Sequence, residues 1–172
     1  MTQGHTDDTE IATPRPGRYE LDLARSKVEF TTKHLFVLPV RGTFSLKSGV
    51  ADVAEPVTES RVEAEIDATS FRTPTPLRDR IVRSAMFLDT SRYPTITFRS
   101  MQWDGETLTG LLTVRETTKP VTVRVTESST DGDSFTAHAT AHVDRTEFGV
   151  TASPGMLDRH LDFTLTVRFV RR

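Results

Sequence analysis

The chain contains no cysteine. That absence removes disulfide staples, thiol nucleophiles and zinc–thiolate centres together. A run of the ~20 apolar residues that a bilayer-crossing helix needs is also missing. Charge of one sign is not in excess: 22 Lys+Arg against 24 Asp+Glu leave a formal net charge of -2. No clustered positive surface therefore invites a nucleic-acid backbone, and Arg78, Arg80 and Arg83 read as a solvated face. There is no GxxxxGK[ST] loop and no GxGxxG after a strand, so the standard phosphate cradles are excluded. The opening MTQGHTDDTEIATPRPGR lacks the apolar centre of a secretory signal. The expected compartment is the cytoplasm. That segment is too polar to bury much surface, and the chain divides into a disordered tail over residues 1–17 and one domain over 18–172.

What the chain has in abundance is alternation. Leu161, Phe163, Leu165, Val167 and Phe169 share one side of a two-residue period, with His160, Asp162, Thr164, Thr166 and Arg168 on the other. This is a strand with one dry and one wet face. The pattern recurs from Val28 to Phe30, from Val62 to Ile66, from Leu108 to Val114, from Val121 to Val125 and from Phe135 to Val143. Asp104-Gly105 and Asp131-Gly132 mark tight turns between such strands and favour an antiparallel meander. Many one-sided strands in a short chain must hide their dry faces in a sandwich or a closed barrel. Pro39 breaks the run LFVLPV, which predicts a loop or helical turn over Leu35–Pro39. Thr75 and Pro76 suit the N-cap and first position of a short helix, Leu77–Arg83.

Catalytic material is scarce. His138 and His142 alternate with alanines assigned to the interior, so they face solvent. No HxH or HExxH spacing accompanies them, and no metal site is expected. His34 ends the alternation of Val28, Phe30 and Thr32 at the rim, where neutral imidazole would suit a carbonyl contact or the polar end of a ligand. Arg78-Asp79 and Asp144-Arg145 read as local ion pairs that brace a rim.

A further set of residues resembles a known family. Tyr19-x-x-Asp22, Ser26-x-Val28-x-Phe30, His34-Leu35 and Val40-x-Gly42-x-Phe44 are similar to the opening of the YceI-like family of bacterial polyisoprenoid-binding proteins. The likeness continues through Ser70–Thr73, Arg78-Asp79, Met86-Phe87, Tyr93-Pro94-x-Ile96-x-Phe98-x-Ser100 and Gly110-x-Leu112-Thr113. It closes with Thr118-Lys119-Pro120-Val121 and Asp144-Arg145-x-x-Phe148-Gly149. The resemblance implies an all-β, lipocalin-like, eight-stranded antiparallel β-barrel with one or two short helices. It also implies an apolar channel for an isoprenoid lipid or the tail of a prenyl quinone.

The expected function is accordingly non-enzymatic binding, transport or storage of an isoprenoid or similar amphiphilic lipid, with no cofactor and no nucleic acid. A homodimer is compatible with this reading. Phe30, Phe44, Ile66, Phe98, Leu112, Phe135 and Phe163 are the interior candidates, and the alanines at 64, 68, 137, 139 and 141 argue for room between them. Phe36, Leu38, Leu77 and Ile81 are expected as the lip of an entrance, with His34 and Arg78 as polar handles. Two other readings stay open. One is a packed barrel acting through protein contacts in a stress response; the other is an enzyme on a lipid head group, using His34, Arg78 and Asp79.

Overall fold

Strand follows strand with little else between. In the computed structural model, residues 10–35, 37–152 and 157–172 are described. They form β1 (Gly17–Leu21), β2 (Lys27–His34), β3 (Leu38–Val53), β4 (Arg61–Arg72), α1 (Pro76–Arg83), β5 (Thr95–Trp103), β6 (Thr107–Val114), β7 (Thr117–Asp131), β8 (Ser134–Asp144) and β9 (His160–Arg171). All sheet pairings are antiparallel, and the order β3-β2-β9-β8-β7-β6-β5-β4 closes on itself through β3 and β4. β1 pairs with β3 and β9, the same neighbours that flank β2. It is the other half of the β2 stave, separated from it by a single 3-10 turn at Leu23–Arg25. The result is an eight-stave closed barrel with one helix.

Closure explains the alternation. Dry residues face a common interior and wet ones face outward, as the two-residue period requires. The interior is graded by residue size. At one end Phe30, Phe44, Phe71 and Phe163 form an aromatic knot, with ring centroids 5.3 Å apart for Phe30–Phe71 and 5.5 Å for Phe44–Phe71. α1 and the loops beside it press Val82, Phe87, Leu88, Phe148, Val150 and Leu157 onto that knot, all of them buried. The other end carries a smaller cluster around Tyr19, Ala51 and Phe169. There Phe135 stacks on Phe169 at 5.1 Å and meets Tyr19 edge-on at 5.0 Å.

One expectation needs correcting. Leu38 and Pro39 belong to β3 rather than to a loop, paired with His34 and Lys33. Pairing with β4 begins only at Thr43↔Arg72, so this stretch of β3 has one unpaired edge, where a missing N–H costs no ladder bond. Of the segment expected as a tail, the residues from Glu10 onward are described, and they touch the barrel. Glu10 to Ala12 are hydrogen-bonded to Ser128, and Arg15 receives the Tyr19 hydroxyl on its carbonyl at 2.7 Å. A polar segment still orders when it meets backbone groups that would otherwise lack partners.

Gly42 shows how tight the aromatic end is. A Cβ there would lie 2.2 Å from Phe30 Cζ and 2.8 Å from the Arg72 carbonyl oxygen. Phe30 is the direct cross-strand partner of Gly42, and its ring fills the space that a side chain would need. Gly42→Ala is therefore expected to lower unfolding free energy by roughly 1–3 kcal/mol, the usual cost of overpacking. Urea titration checks this. Phe30→Leu in the same chain should recover part of the loss, because the two changes share one volume.

Candidate functional site

Between the two packed ends lies an apolar channel of about 360 Å³. Its walls come from inward positions of the barrel strands: Val62, Ala64 and Ile66 of β4, Ile96 and Phe98 of β5, Leu108 and Leu112 of β6. Val121, Val123 and Val125 of β7, Ala137, Ala139 and Ala141 of β8, and Phe163, Leu165 and Val167 of β9 complete the ring. Small residues make the space. Three alanines in succession along β8 leave a wall with almost no side-chain volume, and the large residues opposite do not fill the gap. At Gly110 the reverse holds: a Cβ would sit 2.5 Å from Phe98 Cζ, so Phe98 lies flat across the neighbouring strand.

The floor of the channel is the end carrying α1. Phe87, Leu88, Phe148, Val150 and Leu157 line it, with Val82 reaching in from the helix. These loops converge on Arg145, a buried guanidinium that also lines the channel. Its Nε donates to the Asp158 carbonyl at 3.1 Å, and its two terminal nitrogens donate to Val150 at 2.7 Å and Leu157 at 2.8 Å. The guanidinium also stands 5.3 Å from the Phe87 ring centroid, a cation–π distance. Burial pushes its pKa below the ordinary arginine value, and Asp144 and Asp158 pull it back. One cation thus gathers the β8–β9 connection through three of its backbone carbonyls and meets the loop after α1 through the Phe87 ring. The expected Asp144-Arg145 ion pair is absent among the described contacts. Asp144 instead binds Arg159, with Oδ2 accepting from Nε at 3.0 Å, and caps Thr146.

The mouth is at the opposite end. There the lining passes to Val53, Val57, Ser60, Arg61, Trp103 and Gly105, and to Ile11, Ala12, Thr13 and Pro14 of the N-terminal segment. Apart from Arg145 at the floor, the polar lining residues gather at this mouth: Thr13, Asp52, Ser60, Arg61 and Ser128.

The sequence-derived candidates divide accordingly. Phe44, Ile66, Phe98, Leu112, Phe135 and Phe163 line the channel. Phe30 does not; it is 1% exposed inside the aromatic knot. The expected lip and handles lie at the floor end, away from the channel. Leu38 and Leu77 are exposed on the outside, at 52% and 62%. His34, Arg78 and Ile81 are half-buried and are not part of the lining. Phe36 lies outside the described residues. The entrance predicted at this end is corrected: the periodicity breaks there because the loops and α1 close the barrel. Asp79 is buried and accepts from Thr73 N at 2.9 Å and Thr73 Oγ1 at 2.6 Å, so it braces the turn before α1. His142 faces solvent as expected, linked to Asp162 at 2.6 Å and to His160 at 3.0 Å. Among the described residues no group of three or more His, Asp or Glu has the geometry to hold a metal ion. Trp103, Val57 and the segment Ile11–Pro14 were missed by sequence reasoning: the first two lie in or beside a turn, where no period marks an inward side, and the third lies in a polar stretch without alternation.

With this geometry in hand, comparison with known proteins is direct. A family model described as the YceI-like domain matches residues 19–169. The protein YceI of Escherichia coli O157:H7 is 30% identical over 156 residues, covering 84% of this chain and 81% of its own. A UPF0312 protein of Pseudomonas aeruginosa is 28% identical over the same length. Among solved structures, BcnA of Burkholderia cenocepacia superposes with a TM-score of 0.73 at 22% identity, covering 86% of this chain and 98% of BcnA. A polyisoprenoid binding domain from Saccharophagus degradans gives 0.71 at 13% identity, covering 90% and 98%. These two likenesses show the barrel fold.

The Asp144–Arg159 pair at the floor makes a pH prediction. Burial would raise the Asp144 pKa, but the Arg159 guanidinium and the Thr146 hydroxyl and N–H together hold it down to about 2. A carboxylate whose folded pKa is depressed stabilises the fold above its unfolded value near 3.9, and loses that contribution as pH falls toward the folded value. Asp144→Asn should therefore be less stable than the parent at pH 7, and the two should converge between about pH 4 and pH 2. Thermal unfolding across that range checks it.

Proposed function

The chain belongs to the YceI-like family, and on that premise we propose that the barrel is a non-enzymatic carrier of an amphiphilic lipid, its apolar chain lying in the channel. The observation that carries this reading is the lining itself. An apolar space of about 360 Å³ falls within the ~300–1,000 Å³ of ordinary small-molecule sites. Water gains little in such a space, whereas each methylene moved into it from water is worth roughly 0.8 kcal/mol. A chain ligand then needs few polar contacts to bind.

The gathering of polar groups at the mouth sets the orientation: apolar chain toward the floor, polar head toward Ser60, Arg61 and Ser128. An isoprenoid is the favoured class, for two reasons. The structural neighbour from Saccharophagus degradans is itself a polyisoprenoid binding domain. A methyl-branched chain also has the girth to touch both the alanine wall of β8 and the bulkier residues facing it. A prenyl quinone fits the same scheme, with its ring at the mouth. The packed-barrel alternative loses its main support, because the interior is not filled. The enzyme reading loses its proposed residues, since His34, Arg78 and Asp79 do not line the channel.

Native mass spectrometry of protein purified from its natural host tests the proposal. The expected spectrum carries a lipid adduct that solvent extraction removes. Repeated recovery without any adduct, together with no binding of prenyl quinones or polyprenyl phosphates, would defeat it. Ala141→Leu, which thickens the thin wall, should weaken binding of an added prenyl quinone by at least about tenfold, or ~1.4 kcal/mol. Fluorescence titration measures this, and circular dichroism should show an unchanged fold.

A further inference from the structure

β7 is longer than its neighbour on one side. Its pairing with β6 ends at Thr107↔Arg124, yet β7 continues to Asp131, paired there only with β8. Beyond Val125, whose N–H still reaches the Glu106 carbonyl, one edge of β7 lacks a partner strand. The N-terminal segment takes that edge. Ala12 N donates to the Ser128 carbonyl at 2.9 Å, Ser128 N donates to the Glu10 carbonyl at 3.1 Å, and Ile11 pairs with Ser128 in parallel. Ser128 Oγ adds a third bond, to the Ala12 carbonyl at 3.0 Å. Arg15 then bridges to Asp133 in the β7–β8 turn at 3.0 Å before the chain enters β1.

We infer that residues 10–15 form a displaceable strap across the channel mouth, and that release of this strap from β7 admits and discharges the ligand. Rigidity separates the strap from the walls. The staves are held by ladders on both sides over most of their length, and the floor is tied by buried Arg145, so neither yields without breaking the barrel. The strap is held along one edge by two backbone bonds and the Ser128 hydroxyl, and at its far end by the Tyr19 hydroxyl on the Arg15 carbonyl and by the exposed Arg15 side chain on Asp133 and Gly132; exposed ion pairs contribute little. Segments with few buried contacts open at a small fraction of the global unfolding free energy. Ile11, Ala12 and Pro14 nevertheless line the channel, so the strap covers apolar space that a ligand must cross. This inference rests on the reading of the channel as a lipid site.

The absence of cysteine makes the test clean. Ile11→Cys with Ser128→Cys places two thiols on bridge-paired residues, at a spacing that a disulfide accepts. Uptake of the amphiphilic anionic fluorophore 1-anilinonaphthalene-8-sulfonate is followed by stopped flow in the oxidised and the reduced protein. The same molecule supplies both states, so the loss of the two native side chains cancels. Uptake is expected to be at least about tenfold slower when oxidised and to recover on reduction. Ala12→Pro, which deletes the N–H that donates to Ser128, should accelerate uptake in the single-variant protein. Equal rates in the oxidised and reduced states, or an unchanged rate in Ala12→Pro, overturn the strap and leave the lipid reading standing. A protein that takes up no probe in any state overturns both.

Discussion

A sheet that closes leaves few edges to satisfy, and it must decide what to do with its inside. Once β3 pairs with β4, each inward residue of eight staves shares one narrow cylinder, and each outward residue meets water. Packing in that cylinder cannot be relaxed by splaying the strands, because splaying would break ladder bonds on both sides. Residue size along the axis therefore determines everything else. Where phenylalanines converge, glycine must face them, as Gly42 does under Phe30. Where alanines succeed one another along β8, space remains.

The same constraint separates the two ends. The end with α1 is closed by long connections, and long connections carry backbone groups that must find partners inside. Arg145 meets that need with one side chain, satisfying carbonyls from Val150, Leu157 and Asp158 while its charge lies over Phe87. At the other end two of the three connections are tight turns, with too few residues to reach across the cylinder. The Asp-Gly hairpins at 104–105 and 131–132 thus leave the mouth open, not through any property of their own but through their brevity.

Much of this was legible in the sequence because it follows from a period. Each strand that alternates was placed, the two Asp-Gly turns fell where expected, and Phe44, Ile66, Phe98, Leu112, Phe135 and Phe163 point inward by the same period. Phe30 was assigned to the right face, but whether an inward ring is wall or solid core depends on what comes to meet it from β3 and β4. The residues expected as a lip fall at the closed end for a related reason. An exposed Leu77 beside a proline-broken run reads alike as a lip and as the outside of a plug. The difference lies in the long-range docking of Phe87, Phe148 and Leu157, which no local pattern records. The segment from Glu10 to Arg15 was read as tail because its composition is polar. Its order comes from a length mismatch between β6 and β7, visible only once register is known.

The split stave has a consequence for how the chain reaches this state. β1 and β2 stand between β3 and β9, and β9 is the last stave in chain order. Until β9 is available, β2 is paired on one side only, β8 likewise, and the whole dry interior faces an open gap. The final twelve-residue strand therefore converts a curled, sticky ribbon into a sealed cylinder in one step. Contacts between Tyr19 and Arg171 or Phe30 and Phe163 span nearly the full sequence, the kind of separation that makes folding slow.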